Sequence, residues 1–333
     1  MKRRLACCLA LCLVAAGASA FGEDDCRQRA SPSCYRSFPM PTGGGALHYY
    51  ASLPDGAGPT RAIVALHGHP RDADRTFDAT LLAVRRAGAP GDTVVVAPVF
   101  QVPAVLADKC SAPGTPAAQD GDLLWTCGSW LEGAPASNGA RPTSFAALDA
   151  LVAEVARRWP GLQGITVAGF SAGAQMVQHS IGFAQPAPGG ASLRYVVSDP
   201  GTWLYYDPVA PPDAACPGLN RWKYGTDGLP ATLGRGAADA RAQYAAADIT
   251  YMAGALDSAD VPGAYYRILD KSCAAMAQGP FRLQRARAYA EYDRTVLAPA
   301  RQRRLVVVPG CAHDVSCVFP SDAARAALVG PFP

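Results

Sequence analysis

The sequence predicts an α/β fold: a mostly parallel central sheet with helices on both faces and loops stapled by disulfides. Three observations carry the prediction. Short, wholly apolar runs rich in β-branched residues alternate with segments whose apolar residues recur at helical spacing. That is the pattern of strands buried on both faces with helices crossing between them. A Gly-x-Ser-x-Gly pentapeptide, Gly169 to Gly173, joins one such strand to one such helix. The cysteines left after an N-terminal leader are even in number, as in a disulfide-bearing exported chain.

The leader comes first. Lys2, Arg3 and Arg4 make a basic start, Leu5 to Ala16 an apolar run, and Ala18-Ser19-Ala20 a small-residue cleavage site. The run is shorter than the roughly 20 apolar residues that span a bilayer. Residues 1–20 are therefore expected to be a signal peptide and residues 21–333 a single domain, secreted or periplasmic, with no membrane anchor. Loss of the leader takes the 30 Lys and Arg residues to 27, equal to the 27 Asp and Glu. Nothing in that balance points to nucleic acid or an anionic membrane as partner, because both call for a concentrated basic patch. Of the 11 cysteines, Cys7, Cys8 and Cys12 leave with the leader. Cys26, Cys34, Cys110, Cys127, Cys216, Cys273, Cys311 and Cys317 remain, and neighbours in order are expected to pair, because each pair brackets one loop-like segment.

The elements then follow in order. Phe21 to Gly45 is rich in Ser, Pro and Gly and reads as an irregular arm. Ala46 to Leu53 reads as a strand ended by the turn Pro54-Asp55-Gly56. Ala62 to Leu66 and Thr93 to Ala97 are buried strands flanking a helix over Ala73 to Ala87. Pro98 to Pro142 is a long loop, a length that calls for a function or a constraint. Ser144 to Trp159 is an amphipathic helix with Phe145, Leu148, Leu151, Val152 and Val155 on one stripe. A strand at Ile165 to Ala168, a helix at Ala172 to Phe183 and a strand at Leu193 to Val197 come next. The aromatic, Pro-rich stretch Pro200 to Leu233 either lines a pocket or packs as core. Helices near Ala237 to Ala246 and Arg282 to Tyr292, strands at Ile249 to Met252 and Leu305 to Val308, and a helix over Ser321 to Val329 complete the chain.

The pentapeptide has the context of a nucleophile elbow: Ser171 sits on a tight strand-to-helix turn, where side chains two residues either side would collide. Gly169 and Gly173 answer that crowding. The helix beginning at Ala172 directs free N–H groups and a positive dipole end toward any oxyanion formed there. A base and an acid should follow in chain order. His313 is the candidate base, being the one histidine well beyond the elbow and just after a strand. His179 lies on the elbow's own helix, where it cannot face the hydroxyl. Asp257, following the strand Ile249 to Met252, is the first candidate acid, with Asp260 and Asp199 as competitors. The oxyanion donors are expected to be the backbone N–H groups of Ala172 and His69, with His67 tying down the loop. Arg71 is expected to pair with Asp72 or Asp74, the alternative being a substrate carboxylate. Cys311 and Cys317 flank His313 and are expected to bridge and hold it, not to bind a metal. No nucleotide-binding glycine loop or metal set is read, so no cofactor is expected.

Together Ser171 with its glycines, the His67-Gly68 loop, Asp257 and His313 resemble the α/β-hydrolase superfamily over most of the chain. The run Gly169 to Met176 is similar to the elbow of secreted polyhydroxyalkanoate depolymerases and feruloyl esterases. The resemblance implies a serine esterase acting through an acyl-enzyme on a small-molecule or polymeric ester. The same parts cleave amides, so a peptidase or amidase is the alternative. A non-catalytic binding protein would be marked by a lost triad member. Nothing in the sequence sets an oligomeric state.

Overall fold

The computed structural model describes residues 25–208 and 215–332; the expected signal peptide lies outside them. Eight strands form one sheet in the order β1-β2-β4-β3-β5-β6-β7-β8. They are β1 (Tyr35–Pro39), β2 (Ala46–Ala51), β3 (Arg61–Leu66), β4 (Thr93–Val99), β5 (Gly164–Phe170), β6 (Ser192–Ser198), β7 (Asp248–Gly254) and β8 (Leu305–Val308). The pairs β1–β2 and β2–β4 are antiparallel and the rest are parallel. The expected sheet is therefore found, with a hairpin added at one edge.

Alternation within the strands builds two cores. Ala62, Val64 and Leu66 of β3 and Val94 and Val96 of β4 face one cluster. Ile63 and Ala65, Val95 and Ala97 face the other. Since successive side chains point to opposite faces, each strand must be apolar throughout, which is why these runs carry no polar alternation. Helices α3 (Ser144–Arg158), α4 (Ala172–Ser180), α5 (Ala237–Ala246) and α7 (Arg282–Tyr292) cover the first face. Helices α1 (Ala73–Arg86), α8 (Val315–Val318) and α9 (Arg325–Val329) cover the second. The α3 stripe predicted from Phe145 to Val155 is the buried side of that helix, and the Thr143 side chain caps it by accepting from Ala146 N.

Several expectations are corrected. The N-terminal arm is not wholly irregular: Tyr35–Pro39 pairs with β2, Tyr35 opposite Tyr50 and Pro39 opposite Ala46. It is an edge strand with only Phe38 buried, so its sequence carries little apolar signal. The loop after β4 contains α2 (Ala104–Cys110), tied to the rest of the loop by a Cys110–Cys127 bridge. The last helix is shorter than Ser321 to Val329, because Ser321 instead accepts from Ala324 N in a preceding turn. The other three bridges are Cys26–Cys34, Cys216–Cys273 and Cys311–Cys317, so all four pairs join neighbours in order. No helix among the described residues is long and apolar enough to cross a membrane.

Candidate active site

Ser171 follows β5 directly and has φ 57° and ψ −119°, outside the usual regions for a residue with a Cβ. The turn is held by the Ser171 N–H donating to Ser198 O at 2.9 Å. Its glycines are obligatory. A Cβ on Gly169 would stand 2.5 Å from Ala174 N, and one on Gly173 would stand 2.5 Å from His67 O. The serine is thereby lifted above the C-terminal edge of the sheet, where binding groups gather in open α/β folds.

Two further loops rise from that edge. Asp257 lies three residues past β7 and His313 five past β8. The loops are laced together: Leu256 N donates to Cys311 O at 2.9 Å, and His313 N donates to Gly263 O at 3.2 Å. Gly254 makes this possible, since a Cβ there would meet Ala312 O at 2.5 Å. The result is a continuous line of polar atoms. Ser171 Oγ stands 2.8 Å from His313 Nε2, and His313 Nδ1 stands 2.7 Å from Asp257 Oδ2. Asp260 is exposed and lies outside this line. Asp314 is turned away, paired with Arg75 at 2.7 Å and capping α8 through Ser316 N.

Behind Asp257 sits an acid–base cluster that sequence reasoning resolved only in part. Arg282 Nη1, on α7, lies 3.3 Å from Asp257 Oδ1 and donates to Ala264 O at 2.7 Å. Asp199, fully buried after β6, accepts from Gly254 N and from Ser198 Oγ, both at 2.8 Å. Burial, then the charge of Asp257, push the Asp199 carboxyl up to about 8. Burial, then Arg282, pull His313 down to about 4, against the pull of Asp257. His313 is thus a neutral imidazole at ordinary pH, able to accept a proton at Nε2 while Nδ1–H is held by the carboxylate. Ligand atoms of Asp199, Asp257 and His313 lie within 4.8 Å of one another, as in a metal site. The donor set does not fit an ion well, because Arg282 already supplies the cation and both His313 nitrogens face oxygens along the line.

On the other side of Ser171, β3 leads into Leu66-His67-Gly68-His69. His67 is fully buried, with Nδ1 2.8 Å from Gly68 O and Nε2 accepting from Phe100 N at 3.2 Å. Desolvation lowers it to about 4, so the ring is a neutral clamp on the loop. Gly68 N–H is taken by Asp72 Oδ1 at 3.0 Å, which leaves the His69 amide as the next donor along the loop. Ala172 N–H opens α4, where the first amides have no partner within the helix. His69 and Ser171 line a common cleft of ≈ 270 Å³ with His313, Tyr265, Ile268, Lys109 and Ser111.

One expectation fails here. Arg71 pairs with neither Asp72 nor Asp74; it is buried and donates to Gln101 Oε1 at 2.7 Å, to Ser111 Oγ and to Cys110 O. Of the two roles open to the aromatic segment, its described residues take the core one: none of Trp203, Tyr205, Tyr206, Trp222 and Tyr224 lines the cleft. Trp203, Tyr205 and Tyr206 pack with Tyr244, Tyr251, Tyr289 and Tyr292 as core. His179 is fully buried in α4 against Trp222, away from the hydroxyl.

The architecture is that of the α/β-hydrolase fold. A poly(aspartic acid) hydrolase from Sphingomonas sp. superposes with a TM-score of 0.59 at 21% identity, covering 88% of this chain and 98% of that one. A poly(3-hydroxybutyrate) depolymerase from Bordetella parapertussis gives 0.59 at 23% identity, covering 87% and 86%. No protein-family model and no curated relative matches the sequence.

Proposed function

We propose that the protein is a serine hydrolase of carboxylic esters, with Ser171 as nucleophile, His313 as base and then acid, and Asp257 as the group that orients the imidazole. The observation that carries the proposal is the line from Ser171 Oγ through His313 to Asp257, with steps of 2.8 and 2.7 Å, opening on a cleft. Ser171 Oγ attacks the ester carbonyl carbon as His313 Nε2 takes its proton. The oxyanion is met by the Ala172 and His69 amides. Collapse breaks the C–O bond, His313 protonates the departing alcohol, and a water repeats the sequence on the acyl-enzyme. Asp257 holds the Nδ1–H tautomer and stabilises the imidazolium.

Both structural neighbours are named for hydrolysing or depolymerising a polymer. That supports hydrolytic chemistry on a small-molecule or polymeric ester. Export to the periplasm or beyond is part of the proposal, supported by four disulfides and by the basic–apolar–small leader of residues 1–20. The test is hydrolysis of a panel of alkyl and aryl esters by the oxidised protein and by Ser171→Ala and His313→Ala. Each variant should lose activity by ~10⁴-fold or more while keeping its circular dichroism spectrum. Retention of more than about a tenth of the activity in folded Ser171→Ala would overturn the assignment.

A further inference from the structure

A buried arginine stands behind one wall of the cleft. Arg71 is 2% exposed and sits in a positive-φ turn, φ 56°, just after the His67–His69 loop. Its guanidinium hydrogen-bonds Gln101 Oε1, Cys110 O and Ser111 Oγ, all uncharged. No carboxylate among the described residues lies within ion-pair distance of it, and burial pulls its proton affinity down. A guanidinium in a protein remains charged regardless. Such a cation is costly to bury without an anion, unless something outside the fold completes it.

The hydrogen-bond direction shows where its influence emerges. Arg71 Nη2 has only protons to give, so Ser111 Oγ is the acceptor, and the hydroxyl proton must point elsewhere. Among the described residues no acceptor takes that proton, and Ser111 lines the cleft with Ser171 and His313. A hydroxyl whose oxygen is already bound to a cation is a strengthened donor. Two residues earlier, Lys109 lines the same cleft in the last turn of α2 with no ion-pair partner among the described residues. The Cys110–Cys127 bridge fixes this segment of wall. The acids that face the cleft do not pair with Arg71. Asp314 is committed to Arg75, and Asp72 receives Gly68 N–H on the oxyanion-loop side. Asp108 is exposed, and neither it nor Asp72 nor Asp314 lies within ion-pair distance of the Arg71 guanidinium.

We propose that the Lys109–Ser111 wall, charged from behind by Arg71, is a subsite for a carboxylate carried by the substrate. The preferred substrates are then half-esters of dicarboxylic acids, or esters with an anionic group a short chain from the scissile carbonyl. The substrate carboxylate accepts the Ser111 proton, meets the Lys109 ammonium and supplies the missing counter-charge for Arg71. This inference rests on the Ser171 reading for the reaction but not for the binding.

The test compares monoethyl esters of succinic, glutaric and adipic acid with their primary-amide counterparts, followed by pH-stat. Wild type should favour at least one acid over its amide by ~10-fold or more in kcat/KM, the scale of a charge-assisted hydrogen bond. Ser111→Ala should remove most of that preference and Lys109→Gln part of it, with the amide substrate changed by less than about two-fold. The preference should also shrink as salt is raised. A parallel calorimetric titration of glutarate and adipate into Ser171→Ala reads binding without turnover. Dicarboxylate binding that weakens ~10-fold in Ser171→Ala/Ser111→Ala supports the subsite even if no ester is turned over. Equal kcat/KM for acid and amide, or dicarboxylate affinity unaltered by loss of Ser111 and Lys109, overturns it. Ester turnover without discrimination sinks the subsite alone, whereas carboxylate binding without turnover sinks the Ser171 reading alone.

Discussion

Replacing Arg282 by Met should reveal how the acid side of the relay is balanced. Arg282 is 3% exposed and is the only cation in contact with Asp257 among the described residues. Its loss leaves Asp257 and Asp199 buried together without a counter-charge, and removing one partner of a buried pair costs about 3–5 kcal/mol. The 3.3 Å contact is long for an ion pair, which favours the lower end, ~3 kcal/mol. The pH dependence follows from Asp199. Its folded-state value is raised to about 8, so the folded protein holds the extra proton between the ordinary carboxyl range and that value. The stability this contributes is fully present below the unfolded pKa and is lost as pH rises toward 8. Without Arg282 the Asp199 carboxyl is raised further and the loss extends to higher pH, so the deficit should be largest near pH 8 and smallest near pH 4. Urea unfolding at several pH values reads it directly. The catalytic readout is independent. Arg282 is one of the two influences that hold His313 down at about 4. Its removal should raise the imidazole toward its ordinary value and carry the acid limb of kcat/KM to higher pH. A variant with an unmoved acid limb and a stability loss under ~0.5 kcal/mol at pH 8 would refute this account of the cluster.

Three further outcomes are expected. Gly173→Ala must push against Leu66 O and His67 O and should displace the elbow from the oxyanion loop, cutting kcat more than stability; crystallography and kinetics together check it. His179 is buried with neither ring nitrogen hydrogen-bonded among the described residues and is lowered to about 3. Its folded value lies below its unfolded one, so it destabilises progressively as pH falls below about 6.5. His179→Leu should therefore raise the melting temperature most near pH 4 to 5. The paired change Cys311→Ala/Cys317→Ala opens a loop of sequence separation 6 and should cost about 2 kcal/mol, with a larger fractional loss in kcat than in substrate binding because His313 lies inside that loop.

The parts that were legible in the sequence are those where one physical demand fixes the residue type. Strands buried on two faces had to be apolar without alternation, so β3, β4 and β5 could be located from runs such as Thr93 to Ala97. An elbow with no room at either flank had to be Gly-x-Ser-x-Gly, and the pentapeptide announced its own position. The acid side was harder, because Asp257, Asp260 and Asp199 all follow strands that end at the same edge. What separates them is three-dimensional. Gly254 lets the His313 loop cross over it, and Arg282 arrives from α7, at a distance along the chain that no local pattern encodes. Strand β1 was missed because an edge strand with one buried side chain needs few apolar residues. Arg71 misled for a related reason: its acidic sequence neighbours are close in number, yet its positive-φ turn sends the guanidinium inward to Gln101 and Ser111.

The most direct test of the central claim is covalent labelling of the oxidised protein with a fluorophosphonate, followed by peptide mass mapping. An activated serine attacks phosphorus and expels fluoride, so the account predicts one label per chain, on Ser171, absent in Ser171→Ala and strongly reduced in folded His313→Ala. A folded wild type that takes no label, or takes it on another serine, would contradict the proposed nucleophile and the relay built behind it.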